Sequence, residues 1–169
     1  FDEFHERHLA GDLGLALALD IQQQLRPELR IVIMSATLDG AKLAQQLDAP
    51  RLSSAGRSYP VAIQYFPARK DEALNNQCKR AIGLALLEQL GDILVFLPGR
   101  REIQGLQKLL EPLVNAQLQV LPLHGDLPIE QQSQALRPAE AGIRRVVLAS
   151  NVAESSVTLP GVRVVIDSG

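Results

Sequence analysis

The chain has 169 residues, of which 46% are hydrophobic and 21% are charged, and its formal net charge is −2. These values suit one globular domain or two small lobes, and they exclude nucleic-acid binding through overall positive charge. No apolar run approaches the roughly 20 residues of a membrane span, and the first residues lack the pattern of a signal peptide. Cys78 is the only cysteine, which excludes an internal disulfide and fits a reducing cytoplasm.

The first half of the chain predicts two helices and two strands. A Leu/Ala-rich helix with one apolar face is predicted over residues 9–26. Residues 29–34 are apolar and rich in β-branched side chains, which predicts a buried parallel strand. A loop and a helix at about 40–47 follow. Residues 51–60 have the composition of a linker, and a strand is predicted again at 61–66.

The second half alternates more regularly between strands and helices. Strands are predicted at 92–97, 117–123, 144–150 and 162–167, and helices at 72–90, 100–111 and from Leu127-Pro128 to about 136. This alternation predicts a parallel α/β sheet with right-handed crossovers. Ligands bind such sheets at the carboxyl ends of the strands. Polar segments follow several predicted strands there, namely Ser35-Ala36-Thr37, Pro98-Gly99-Arg100, His124-Gly125 and Ser150-Asn151.

Two adjacent carboxylates, Asp2 and Glu3, begin a strongly charged segment. At a strand end, one carboxylate can hold Mg²⁺ through its waters while the other orients or deprotonates an attacking water. The alternative is a solvated, acidic first turn of a helix. A metal site made of Glu3, His5 and His8 is a further option, although the two histidines lack the i, i+4 spacing of a zinc-binding helix.

Two hydroxyl residues, Ser35 and Thr37, directly follow the predicted strand at 29–34. Their hydroxyl groups can hydrogen-bond a carboxylate or an imidazole from a neighbouring strand end, and so link two loops. The alternative is that Ser35 starts a turn or caps the next helix. Because the pair follows the charged segment that begins at Asp2, we favour the linking role.

The segments DEFHER (2–7), MSATLD (34–39), ILVFLPGRREI (93–103) and RRVVLASNVAESSVTLPGVRVVIDSG (144–169) resemble motifs II to V of the DEAH-box helicases of superfamily 2. The resemblance covers essentially the whole chain, and it is strongest to the bacterial HrpB-like helicases. It implies an α/β fold of parallel-sheet, RecA-like lobes of the P-loop NTPase type, the first of them incomplete. Residues 1–58 would be the C-terminal half of the first lobe, and residues 59–169 would be most of the second.

The resemblance also implies roles for single residues, with ATP and Mg²⁺ as cofactors. Asp2 would hold the Mg²⁺ through water, Glu3 would activate the hydrolytic water, and His5 would couple the phosphate site to Ser35 and Thr37. Thr158 would face the nucleotide, and the residues expected to contact single-stranded nucleic acid, RNA in particular, are Gly99, Arg100, Ser150 and Asn151. Ser150 stands where the family usually has Thr, which keeps the hydroxyl group. The alternatives are a solvated helix start at Arg100 and a helix N-cap at Ser150-Asn151.

No G-x-x-x-x-G-K-S/T loop occurs in the sequence, and the Arg-rich final motif of these helicases is also absent. We therefore expect an internal fragment of an ATP-dependent nucleic-acid motor, and we expect no ATP hydrolysis by the fragment alone. Two other functions stay open. One is a non-catalytic nucleic-acid-binding α/β module with salt-sensitive RNA binding. The other is a small phosphate-ester hydrolase that uses Asp2, Glu3 and His5 directly.

Overall fold

The computed structural model describes residues 1–35, 40–54, 56, 59–150 and 158–169. The chain divides into two compact units, Phe1–Ala62 and Ile63–Gly169. The first unit contains a 3₁₀ turn at Phe4–Glu6 and the helices α1 (Leu9–Gln24) and α2 (Gly40–Gln46). The elements of the second unit are α3 (Leu74–Glu88), β1 (Asp92–Phe96), α4 (Arg100–Leu110), β2 (Leu118–Leu123), α5 (Ile129–Leu136), β3 (Arg144–Ala149) and β4 (Val162–Asp167).

The strands of the second unit form one parallel sheet in the order β2-β3-β1-β4. The central strands β1 and β3 are almost continuously apolar and are buried on both faces, as expected for the middle of a parallel sheet. Because all strands run in the same direction, their carboxyl ends meet at one edge of the sheet. This sheet confirms the predicted α/β fold.

Helices cover both faces of the sheet. Alternate residues of a strand point to opposite faces, so Ile93 and Val95 of β1 pack with α3 and α4, whereas Leu94 packs on the side of α5. In α4 the buried residues recur at three- and four-residue steps, at Ile103, Leu106 and Leu110. This three-layer packing fixes the ends of β1, β2 and β3, and therefore the loops that follow them.

Strand β2 lies at an edge of the sheet, and Pro122 suits this position. The backbone carbonyl of Leu123 accepts a hydrogen bond from Ser150 at 3.2 Å, and that of Gln117 accepts one from Arg144 at 2.8 Å. The odd-numbered residues of β2 therefore face β3, and Pro122 faces outward. A proline there removes no N–H from the ladder, and it discourages the addition of a further strand.

The predicted strands at 29–34 and 61–66 are wrong, because neither segment forms a strand. A strand requires a neighbour that pairs with its backbone groups. Three backbone hydrogen bonds join residues 32–34 to the start of the chain, among them the one from Met34 N–H to the carbonyl of Phe1 at 2.8 Å, but they do not extend into a ladder over residues 29–34. The side chains of Val61, Ile63 and Tyr65 are exposed rather than buried. Apolar, β-branched composition alone therefore did not specify a sheet here.

Candidate functional sites

The loops after β1 and β3 start from a fixed position at the carboxyl edge of the sheet. Leu97 N–H donates to the carbonyl of Ala149 at 2.8 Å, which continues the ladder beyond β1. Ser150, which follows β3, is buried and is fixed by the bond to Leu123 described above. The candidate nucleic-acid-binding residues Gly99, Arg100 and Ser150 therefore lie on one edge. Asn151 lies outside the described residues.

Gly99 and Arg100 form the start of α4. Gly99 is the N-cap, with extended backbone, and its carbonyl accepts a hydrogen bond from Ile103 N–H at 3.1 Å. No side chain caps this helix end. An uncapped helix N-terminus presents N–H groups that attract anions. The side chain of Arg100 adds a positive charge there and is largely exposed.

Two residues at this edge, His124 and Asp126, were not assigned a role from the sequence. His124 follows β2 and is buried, and its Nδ1 atom has no hydrogen-bond partner in the described part of the chain. Asp126 lies near Arg100, with 3.7 Å between Oδ2 and Nη1. The signal available in the sequence was the position of His124-Gly125 directly after a predicted strand.

Thr158, the candidate nucleotide contact, is exposed.

In the first unit, the Asp2-Glu3 segment has a tight local conformation. The Oδ1 atom of Asp2 accepts the backbone N–H of Glu3 at 2.8 Å, and Glu3 has a left-handed backbone with φ 51°. Left-handed backbone is uncommon for a residue other than glycine and is often found at functional positions. The side chain of Glu3 reaches His5, with 3.3 Å between Oε2 and Nε2. Two of the three residues with predicted catalytic roles are therefore in direct contact.

The backbone of Phe4 places this segment beside residues 34–35. The Phe4 side chain is buried, and its N–H donates to the carbonyl of Met34 at 3.1 Å. Ser35 is the next residue after that contact, so the segment carrying His5 and the segment carrying Ser35 run side by side. The Nδ1 atom of His5 is buried without a partner among the residues that the structure describes. Thr37 lies outside those residues.

The alternative metal site of Glu3, His5 and His8 does not form. The imidazole of His8 is paired with Glu6 instead, with 2.5 Å between Nε2 and Oε2. No cluster of three or more His, Cys, Asp or Glu side chains able to hold a metal ion occurs in the described parts of the chain. Asp2 keeps one carboxylate oxygen outside its bond to Glu3. A single carboxylate with waters and substrate phosphates is a common way to hold Mg²⁺, so the residues fit a water-mediated Mg²⁺.

The second unit is thus a parallel α/β sheet with the side chains of Arg100 and Ser150 at its carboxyl edge, and the first unit carries the adjacent carboxylates Asp2 and Glu3. Residues 73–169 match the family model of the helicase conserved C-terminal domain, and the chain belongs to this family. None of the helices in the described ranges has the length and apolar content needed to cross a bilayer.

Individual relatives agree with the family. The chain is 45% identical over 167 residues to the ATP-dependent RNA helicase HrpB of Escherichia coli K12, covering 98% of this chain and 21% of the relative. It is 38% identical over 177 residues to the probable ATP-dependent RNA helicase DHR2 of Saccharomyces cerevisiae, covering 99% of this chain and 24% of the relative. The chain thus spans about a fifth to a quarter of the length of these relatives.

A solved structure also matches. The crystal structure of the Escherichia coli DEAH/RHA helicase HrpB has a TM-score of 0.87 and 44% identity, covering 98% of this chain and 21% of that one. The resemblance to HrpB-like DEAH-box helicases that the sequence motifs predicted is therefore confirmed.

Proposed function

We propose that the chain is part of a cytoplasmic ATP-dependent RNA helicase, in which ATP hydrolysis drives movement on RNA or its unwinding. Residues 1–58 would belong to the ATP-binding lobe and residues 59–169 to the second lobe. The observation that carries the proposal is the carboxyl edge of the sheet. There the uncapped start of α4, the Arg100 side chain and Ser150 lie at the ends of adjacent parallel strands.

At the acidic segment, Asp2 would hold Mg²⁺ through water and Glu3 would orient the attacking water. Bound Mg²⁺ would supply positive charge to the phosphates of ATP. The side chain of Glu3 lies 3.3 Å from that of His5. Through this contact, His5 would couple the phosphate site to Ser35 and Thr37. Thr158 would also contact the nucleotide.

At the carboxyl edge, Gly99, Arg100, Ser150 and Asn151 would bind the backbone of single-stranded RNA. The N–H groups at the start of α4 and the guanidinium of Arg100 suit phosphate oxygens, because both donate hydrogen bonds to anions. Phosphate contacts carry no sequence information. Aromatic residues make up only 4% of the chain, so we propose that base stacking contributes little.

RNA binding by the 169-residue chain tests this proposal. We expect the logarithm of the association constant for a single-stranded RNA to fall linearly with the logarithm of the salt concentration, by about 0.7 per phosphate contact. Arg100→Ala should weaken binding and make the slope shallower by about that amount. The matched control is Lys108→Ala, an exposed cation at the other end of α4. Equal effects of the two substitutions would contradict the proposed RNA edge.

ATP hydrolysis gives a second test. We propose that the 169-residue chain does not hydrolyse ATP, because its sequence contains no phosphate-binding loop. In a longer protein that contains this segment and such a loop, Glu3→Gln should abolish Mg²⁺-dependent hydrolysis and leave RNA binding unchanged. Hydrolysis by the 169-residue chain that Glu3→Gln abolishes would instead favour the phosphate-ester hydrolase. RNA binding with no ATPase activity in the longer protein would favour the non-catalytic module.

A further inference from the structure

We infer that Asp126 competes with nucleic-acid phosphates for the guanidinium of Arg100, and so limits the affinity of the carboxyl edge for single strands. This inference rests on the proposed function of that edge. Its starting point is the ion pair between these residues, with 3.7 Å between Arg100 Nη1 and Asp126 Oδ2. The Asp126 carboxylate pairs with the guanidinium that a phosphate would need, and it also repels the phosphate.

The backbone that carries Asp126 is fixed by its surroundings. Residues 124–127 form a turn in which Leu127 N–H donates to the carbonyl of His124 at 3.2 Å. The side-chain amide of Gln132, in α5, donates to the carbonyl of Leu127 at 2.8 Å and to that of Gly125 at 3.4 Å. Asp126 lies inside this turn. Its position near Arg100 is therefore set by α5 and by the end of β2.

The pair spans the site where the single strand is proposed to bind. Arg100 follows β1 and Asp126 follows β2, and the sheet order places β3 between these two strands. Ser150 follows β3. The ion pair therefore connects the two loops on either side of Ser150, at the same edge of the sheet. A phosphate that binds Arg100 there must displace or repel the Asp126 carboxylate.

The exposure of the pair indicates that such displacement is easy. The side chains are 60% and 70% exposed, respectively. An ion pair in water at this exposure is weak and is screened by salt. Asp126 should therefore reduce RNA affinity moderately rather than block binding, and the reduction should be largest at low salt.

The experiment is a double-mutant cycle on the 169-residue chain with Asp126→Asn and Arg100→Ala, read as affinity for a single-stranded RNA. At low salt, we expect Asp126→Asn to tighten binding about 2- to 5-fold, which corresponds to an exposed ion pair. In the Arg100→Ala background the gain should shrink to the effect of general charge repulsion. The control is Glu111→Gln, which removes the same charge at the far end of α4 and should change affinity by less than about 1.5-fold.

Different results would overturn the proposed RNA edge and the role of Asp126. If Arg100→Ala leaves RNA affinity unchanged, the proposed RNA edge itself is wrong. If Arg100→Ala weakens binding but Asp126→Asn has no effect, the inference about Asp126 is wrong while the edge stands. An Asp126→Asn gain of the same size with and without Arg100 would also overturn the inference, because it would show long-range repulsion instead of competition. Both substituted residues are exposed, and circular dichroism would verify that the variants fold.

Discussion

The carboxylate of Asp92 and the guanidinium of Arg145 form a buried ion pair at the amino ends of β1 and β3. The Asp92 Oδ2 atom lies 2.8 Å from Nε and 2.6 Å from Nη2 of Arg145, and Oδ1 accepts the Arg145 backbone N–H at 2.8 Å. Arg145 also donates to the carbonyls of Ala135, Arg137 and Pro160. The side chain of Arg145 is 2% exposed and that of Asp92 is 6% exposed. The pair therefore joins β1, β3, the end of α5 and the segment before β4, at the edge of the sheet opposite the candidate RNA edge.

Asp92→Asn should destabilise the second unit strongly, by about 3 to 5 kcal/mol, because it leaves the charge of Arg145 buried without a counter-charge. Urea unfolding followed by circular dichroism measures this loss. The control is Asp126→Asn, which removes a carboxylate from an exposed pair and should change the free energy of unfolding by less than about 1 kcal/mol. A loss below about 1 kcal/mol for Asp92→Asn would show that the buried pair adds no stability.

This pair also shows what the sequence could not predict. The parallel α/β fold followed from alternating apolar runs and helical periods between residues 72 and 167. Asp92 and Arg145 are 53 residues apart, and they meet only because β1 and β3 are neighbours in this register. The same limit explains the wrong strands at 29–34 and 61–66. Both segments have apolar composition, but residues 32–34 make only three backbone hydrogen bonds to residues 1–4, and Val61, Ile63 and Tyr65 are exposed. Contacts between distant segments depend on the assembled sheet.

Some features of the candidate sites could likewise be predicted from the sequence, and others depend on the assembled sheet. Gly99, Arg100 and Ser150 could be located from the sequence because strand ends are visible as the ends of apolar runs. The approach of Asp126 to Arg100 could not, because it depends on the order of strands in the sheet. Likewise, the contact between Phe4 and Met34 that aligns the two motif segments of the first unit is a long-range backbone bond.

Glu72 gives a pH-dependent contribution to stability. Arg80 in α3 donates to both of its carboxylate oxygens, at 3.0 and 2.7 Å, and Arg69 N–H donates to one of them at 2.8 Å. The guanidinium of Arg80 also lies over the ring of Phe66, 4.1 Å from the centroid. These hydrogen bonds, mainly those from Arg80, lower the pKa of Glu72 from 4.5 to about 2. The cluster attaches the segment before α3 to that helix.

Because the folded pKa of Glu72 is below its ordinary value, the stabilisation is complete above about pH 4.5 and is lost as the pH falls towards 2. We expect Glu72→Gln to be less stable than the unsubstituted chain at pH 7. This difference in the free energy of unfolding should shrink as the pH falls from about 4.5 towards 2. Urea midpoints measured at several pH values check this. Glu130→Gln, an exposed acid in α5, serves as the control. A difference that stays constant down to pH 2 would contradict the role of the ionised carboxylate.

Gly91 is required by both its backbone conformation and its neighbours. It has φ +82°, and a Cβ atom there would lie 2.9 Å from the carbonyl oxygen of Gly161. Gly91→Ala should therefore destabilise the chain by about 1 to 3 kcal/mol, because strain and a backbone clash add. Gly83→Ala is the matched control, since Gly83 is inside α3 and a Cβ there meets nothing within 4 Å. That change should stabilise the chain by up to about 1 kcal/mol, and thermal unfolding of both variants would detect opposite signs.

The helices α1 and α4 should differ in their protection from amide hydrogen exchange. Both have apolar residues at helical spacing, but in α1 the side chains of Leu9, Leu13, Leu17 and Ile21 are 41% to 83% exposed, and the buried residue is Leu15. In α4, the buried residues are at most 1% exposed. A helix without a packed apolar face opens easily, because tertiary burial supplies most of its stability. We expect amides of α1 to exchange at least about 100-fold faster than those of α4.

Two substitutions separate this packing difference from helix propensity. Leu106→Ala in α4 should cost about 2 to 5 kcal/mol of unfolding free energy, whereas Leu13→Ala in α1 should cost less than about 1 kcal/mol, because Leu13 loses little buried area. Equal protection of the two helices, together with a large cost for Leu13→Ala, would contradict the exposed state of α1. It would mean that another surface covers these leucines in solution. Sedimentation at two protein concentrations would then show whether that surface is a second copy of the chain.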